Sequence, residues 1–251
     1  PIFHIYGPIA ALYFNAMAYF ISAIFISLAP FKNDKPRENS ENISTALSKG
    51  FLFLKDKSGV LFLGITTIMS DVAIWGALSV LTITMSKEIF NKGSWGYGLM
   101  DGMYGFGALI STIVVAIITK KFGRRKSLIW CYSIAGLCCF ISPFSPTIYI
   151  AGIAYLFMGL HNNSARIIVR TLFMEIIPNN IMGRVQTIFG VYTRVMMLTS
   201  VLIAGWVTEN LNPHIGMNFA SVHYLIALIG IIVISKISNF RKEIFKVKNH
   251  A

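Results

Sequence analysis

The sequence predicts an all-α protein: a polytopic membrane bundle of about seven transmembrane helices. Three observations carry that prediction. Hydrophobic residues make up 55% of the 251-residue chain and charged residues only 13%, against roughly 25% in an ordinary soluble domain. The apolar residues fall in long uncharged runs, and about 20 such residues cross the hydrocarbon of a bilayer. The cations gather in the short stretches between those runs. A formal net charge of +12 would point to nucleic acid in a soluble chain, but so few charges could not cover a soluble surface, so no nucleic-acid partner is expected.

Taken in order, residues 9–29 (IAALYFNAMAYFISAIFISLA) form the first uncharged span. Residues 60–85 follow, interrupted only by Asp71, and then 95–119, with Asp101 near their start. The uncharged run 127–160 is too long for one crossing, because a helix of that length reaches about 51 Å. Its SPFSP stretch (142–146) supplies two prolines and small polar residues, so it reads as the turn of a helical hairpin. The second arm runs on to about Val169, and residues 185–208 and 215–235 complete the set of seven.

Between the first span and the other six lies the one long polar stretch, residues 30–59. Within it Ile43, Ala46, Leu47, Phe51 and Leu54 recur at helical spacing. A short helix lying at the membrane interface and an irregular tether weakened by Gly50 fit those residues equally well. Orientation follows from the bias of Lys and Arg among the loops. Nineteen of the twenty-two cations fall on the side that holds 30–59, 120–126, 166–184 and 236–250, and that side is expected to be cytoplasmic.

No catalytic or metal-binding constellation is visible. Cys131, Cys138 and Cys139 lack zinc-ligand spacing, and the five histidines (His4, His161, His214, His223, His250) are scattered. There is no GxSxG, HExxH or phosphate-binding loop. Neither an enzyme nor a cofactor or metal is expected.

A few residues stand out within the spans. Asp71 lies about 16 Å into its span and Arg194 about 15 Å into its own. An ionisable group at such depth marks a functional site by default, so these two are expected to pair, for coupling or for structure. Trp75, one turn after Asp71, could face the same cavity. His161, Asn162, Asn163 and Ser164 form a polar patch in which the asparagines could line a substrate path, with packing as the plainer reading. Arg166 and Arg170 read as cations reaching for the interface. Gly98, Gly102 and Gly105 share one helix face, which suits close helix packing.

The strongest motif is KKFGRRK (120–126), set between two uncharged runs. One lone span, a basic linker and a block of six spans resemble part of a transporter of the major facilitator superfamily. In that family the loop between the second and third spans of each half carries G-x-x-x-D-R-x-G-R-R. Here AIITKKFGRR keeps Lys121, Gly123, Arg124 and Arg125, while Ala116 replaces the first glycine and Lys120 the acid. The stretches WGYGLMDGMYGFGALIST and MGRVQTIFGVYTRVMMLTSVLIAGWVTE are similar to the family's eighth and eleventh helices.

The resemblance implies that residues 1–29 end an N-terminal half, 30–59 form a basic linker, 60–238 are the C-terminal six-helix half, and 239–251 are a basic tail. It implies a fragment whose N-terminal half is missing, consistent with a chain that opens on Pro1. The implied activity is secondary active transport by alternating access. The chain looks most similar to the macrolide and siderophore exporters, so ion-driven export of a small amphipathic molecule across a bacterial cytoplasmic membrane is expected. That membrane's lipids and the missing half would be its other partners. Lysophospholipid transport, a non-transporting scaffold and a degraded half-transporter are the competing readings.

Overall fold

The computed structural model describes residues 2–29 and 42–245. They fall into two units, described separately: one ends at Asn42 and the other begins at Ile43. The first unit is α1 (Ile2–Leu28), apolar along its length and broken at Gly7, where φ is 82°. Pro8 excludes the α region for the residue before it, and a glycine takes the positive φ without penalty. From Tyr6 to Leu28 the helix is long and apolar enough to cross a membrane.

The second unit opens with α2 (Ile43–Asp56), so the polar stretch does contain a helix, and that helix belongs with the block that follows. Gly50 is buried against Arg184 and Ile188, and Leu54 is 1% exposed. The part of the expected linker at 30–41 lies outside the described residues, as does the tail from 246 onward.

The next span is continuous from Ser58 to Ile89. It comprises α3 (Ser58–Val72), a π-turn at Ala73–Ala77, α4 (Leu78–Thr84) and a second π-turn at Met85–Ile89. The chain reverses at Asn91 and Gly93, both with φ of 52°, into α5 (Gly93–Ile141). That helix is two spans, because 49 residues would extend about 74 Å. The break is at Gly123, with φ 73° and ψ 156°, a conformation that is costly for any residue with a Cβ. The basic loop of the sequence is therefore a one-residue bend between helices. Ser127 stabilises it by donating to the carbonyls of Ile118 (3.1 Å) and Gly123 (2.9 Å).

A short 3₁₀ turn, Ser142–Phe144, closes the hairpin where the two prolines predict it. Thr147 then caps α6 (Ile148–Ile176). Pro178 precedes α7 (Asn179–Asn210). Asn212 caps α8 (Pro213–Lys236) by accepting from the His214 amide at 2.8 Å, and Pro213 occupies a first-turn position that needs no N–H donor. The last helix is α9 (Ser238–Phe245). No strand occurs among the described residues. Counting α5 as two arms, seven membrane-length helical segments result, as expected. Six of these lie in the second unit, and their turns alternate between two ends. We call the end with Gly123, α2 and α9 the basic end.

The bundle closes through glycines where backbones meet. A Cβ on Gly107 would strike the backbone of Leu156 and Leu160, and one on Gly159 would strike that of Tyr104. The first arm of α5 and α6 therefore cross backbone to backbone, as small residues permit in lipid. Gly64 takes the Phe189 ring of α7, and Gly136 faces Tyr224 of α8. Between these contacts lie fully buried Leu63, Val72, Leu128, Tyr132, Met158 and Ile231. At the basic end Glu243 of α9 accepts from the Val60 amide at 3.1 Å, which ties the last helix to the first turn of α3.

The glycine stripe differs from expectation. Gly102 and Gly105 have nothing within reach of an added Cβ, and both are exposed while Gly98 is half-buried. The tight face of this arm is the one carrying Gly107. Spacing alone shows that glycines share a face, and the next helix decides which face is covered.

Candidate functional site

Four helices of the second unit leave a cavity of about 360 Å³ toward the basic end. From α3 come Thr67, Ser70 and Asp71; from the second arm of α5, Tyr132; from α6, Arg166, Arg170 and Phe173; from α7, Gln186, Phe189 and Thr193. The hydroxyls of Thr67 and Ser70 donate to the carbonyls of Leu63 (2.6 Å) and Thr67 (2.9 Å), so toward the cavity they offer lone pairs. The rings of Phe173 and Phe189 stack with centroids 5.5 Å apart and form an apolar wall.

The charge in this site is a pair. Arg166 Nε stands 3.0 Å from Asp71 Oδ1, with side chains 25% and 28% exposed. The distance makes it an ion pair, although the N–H is not aimed at the oxygen, and neither atom has a well-directed hydrogen bond. Arg170, one turn further along α6, is exposed and lies close enough to act electrostatically on Asp71. Two guanidinium groups thus surround one carboxylate just before the first π-turn of its span. Such turns often mark functional positions in helices.

This corrects the expected Asp71–Arg194 pair. Arg194 has a suitable depth but is exposed on α7. It follows Thr193, which faces the cavity, and one residue of helix rotates the side chain by about 100°. The partner is Arg166, which the sequence reading sends to the interface. Its signal was readable: Arg166 and Arg170 share a helix face, and no acid lies between Asp101 and Glu175 to balance them.

The remaining predicted residues also lie elsewhere. Trp75 is 58% exposed and outside the cavity lining, so it does not face Asp71's cavity. Asn162 is buried and donates to the Tyr104 hydroxyl at 2.9 Å. Asn163 donates to Ser111 Oγ (2.6 Å) and the Ala108 carbonyl (3.2 Å). Both asparagines bind α6 to the first arm of α5 and do not line the cavity. His161 bonds through Nδ1 to the Phe157 carbonyl at 2.8 Å and stacks on that residue's ring, which is the packed arrangement.

At the bend, Arg124 holds Glu175 of α6 in a two-pronged pair, with Nη2 2.7 Å from Oε1. An acid absent from the loop at Lys120 is thus present from another helix. Lys121 lies over the Phe122 ring at 5.3 Å, and Arg125 lines concavities outside the bundle.

Helices of this length and apolarity, packed around a charged polar cavity, define a multi-pass helical membrane protein. Sequence comparison gives the family. The description Major Facilitator Superfamily matches residues 2–199 and again 60–242, and the chain belongs to that family of membrane transporters. A D-xylose transporter of Levilactobacillus brevis is 26% identical over 158 residues, which cover 63% of this chain. The matched region spans only 32% of that relative's length.

Proposed function

We propose that this chain provides the C-terminal half of a secondary active transporter, and that the cavity around Asp71 and Arg166 is its part of the solute path. The observation that carries this reading is a charged pair deep in a membrane bundle, beside a cavity large enough for a small solute. Ionised groups at that depth are costly and persist where they serve a pathway. The six-helix block rocks against a preceding half, so that the cavity opens alternately to the two sides. The exposed Gly98–Gly102–Gly105 face suits contact with that half.

The basic end faces the cytoplasm of a bacterial cell in this reading, because nineteen of twenty-two cations lie on that side. Asp71 is the group that would take and release a proton, with Arg166 competing for its carboxylate. The solute is small and amphipathic: the stacked Phe173 and Phe189 receive an apolar face, and Asp71, Arg170 and Gln186 receive polar groups. Export driven by an ion gradient, as in macrolide and siderophore exporters, follows from the family resemblance.

A second reading is favoured by the lining itself. Thr67, Ser70, Tyr132, Gln186 and Thr193 offer hydrogen-bond partners suited to a polyhydroxylated solute, and the D-xylose transporter is a relative. Transport by the full-length protein in proteoliposomes separates the two. Proton-driven extrusion of an amphipathic dye, lost in Asp71→Asn, supports export. Saturable D-xylose entry without dye movement supports the sugar reading, and movement of neither would overturn both.

A further inference from the structure

Outside the bundle, at the basic end, a groove runs between the Gly123 bend and α9. It consists of two adjoining concavities of about 400 and 370 Å³ that share Arg125 and Phe245. The bend contributes Phe122 and Lys126, and α9 contributes Arg241 and Lys242. Segments more than one hundred residues apart in sequence therefore bring four cations and two phenyl rings to one place.

The acids nearby are already engaged. Glu175 holds Arg124, and Glu243 accepts from the Val60 amide. Among the described residues no carboxylate pairs with Arg125, Lys126, Arg241 or Lys242. A topogenic loop needs only net charge, whereas this arrangement adds a concave shape, rings beside the cations, and cations from a second element. Its height is that of the helix ends, where lipid headgroups lie.

We propose that this groove docks the headgroup of an anionic phospholipid, with Arg125, Arg241 and Lys242 around the phosphate and Phe122 and Phe245 against the first acyl carbons. Basic pockets at helix ends attract anionic headgroups, and each cation adds to the preference. The site is separate from the solute path and does not depend on the transported molecule.

Trp130 is exposed on the second arm of α5, about 10 Å along the helix from the bend, and serves as a reporter. The full-length protein, with Trp75, Trp95 and Trp206 replaced by phenylalanine, is placed in phosphatidylcholine nanodiscs. Brominated phosphatidylglycerol should quench Trp130 at least about threefold more effectively than the same fraction of brominated phosphatidylcholine. Combining Arg125→Gln, Arg241→Gln and Lys242→Gln should erase the preference and leave quenching by the neutral lipid unchanged, which also reports that the fold survives. Lys55→Gln, at the same end but outside the groove, should retain it. Equal quenching by the two lipids would overturn the proposal. So would an equal loss in Lys55→Gln, which means diffuse surface charge, and so would displacement by inorganic phosphate at constant ionic strength, which means a free-anion site.

Discussion

Arg124 and Glu175 meet across fifty-one residues of sequence, each using both of its terminal atoms, with Nη2 2.7 Å from Oε1. The pair fastens the bend of α5 to the last turn of α6. Its side chains are 30% and 45% exposed, so solvent screens much of the attraction. A coupling of roughly 0.5–1 kcal/mol is expected. In a double-mutant cycle with Arg124→Gln and Glu175→Gln, thermal unfolding in detergent should show that coupling, shrinking as salt is raised. Strict additivity would mean the pair contributes nothing.

The Asp71–Arg166 pair is deeper, and its cycle should look different. Removing one partner leaves an uncompensated charge within the bundle, whereas removing both also removes the penalty. Asp71→Asn and Arg166→Gln should each lower the yield of folded protein, with a cost on the order of 1–3 kcal/mol, and the double variant should recover part of it. Arg194→Gln combined with Asp71→Asn should give no recovery. Recovery there would restore the pairing that depth alone suggests.

Two glycines in one helix should behave oppositely. Gly107→Val forces a side chain into the backbone of Leu156 and should sharply reduce folded protein, as measured by size-exclusion monodispersity. Gly102→Ala meets open space and should leave folding unchanged or slightly improved, since alanine favours helix by about 1 kcal/mol. Equal damage at both positions would show that the exposed stripe is covered within this half.

Topology can be read at the bend itself. Ser127 is buried, so a cysteine there would report packing. Lys126 is exposed, as is Lys92 at the opposite end. In intact cells an impermeant thiol reagent should label Lys92→Cys and spare Lys126→Cys until the membrane is permeabilised. The reverse pattern would invert every loop assignment.

Much of this architecture was legible from residue order. Uncharged runs give the spans, the two prolines of 142–146 give the hairpin, and Gly123 stands at the bend. What could be counted along one helix, such as the depth of Asp71 or Arg194, was close to correct. What depends on rotation about the helix axis was not. Arg166 rather than Arg194 reaches Asp71, and Gly107 rather than Gly102 meets a neighbour, because facing is decided by where the next helix lies. The role of Glu175 was available from composition: it is the only acid between Asp101 and Glu209, and so the only local counterion for the bend.

The bond from Glu243 to the Val60 amide has a consequence for biogenesis. Helix starts leave amides unpartnered, and the one at Val60 emerges from the ribosome more than 180 residues before its acceptor does. The six-helix block therefore cannot be sealed during synthesis, because its first turn waits for its last helix. A nascent chain arrested before residue 238 should remain open at that end and be prone to proteolysis there, so the carboxylate of α9 acts as a checkpoint for completed translation.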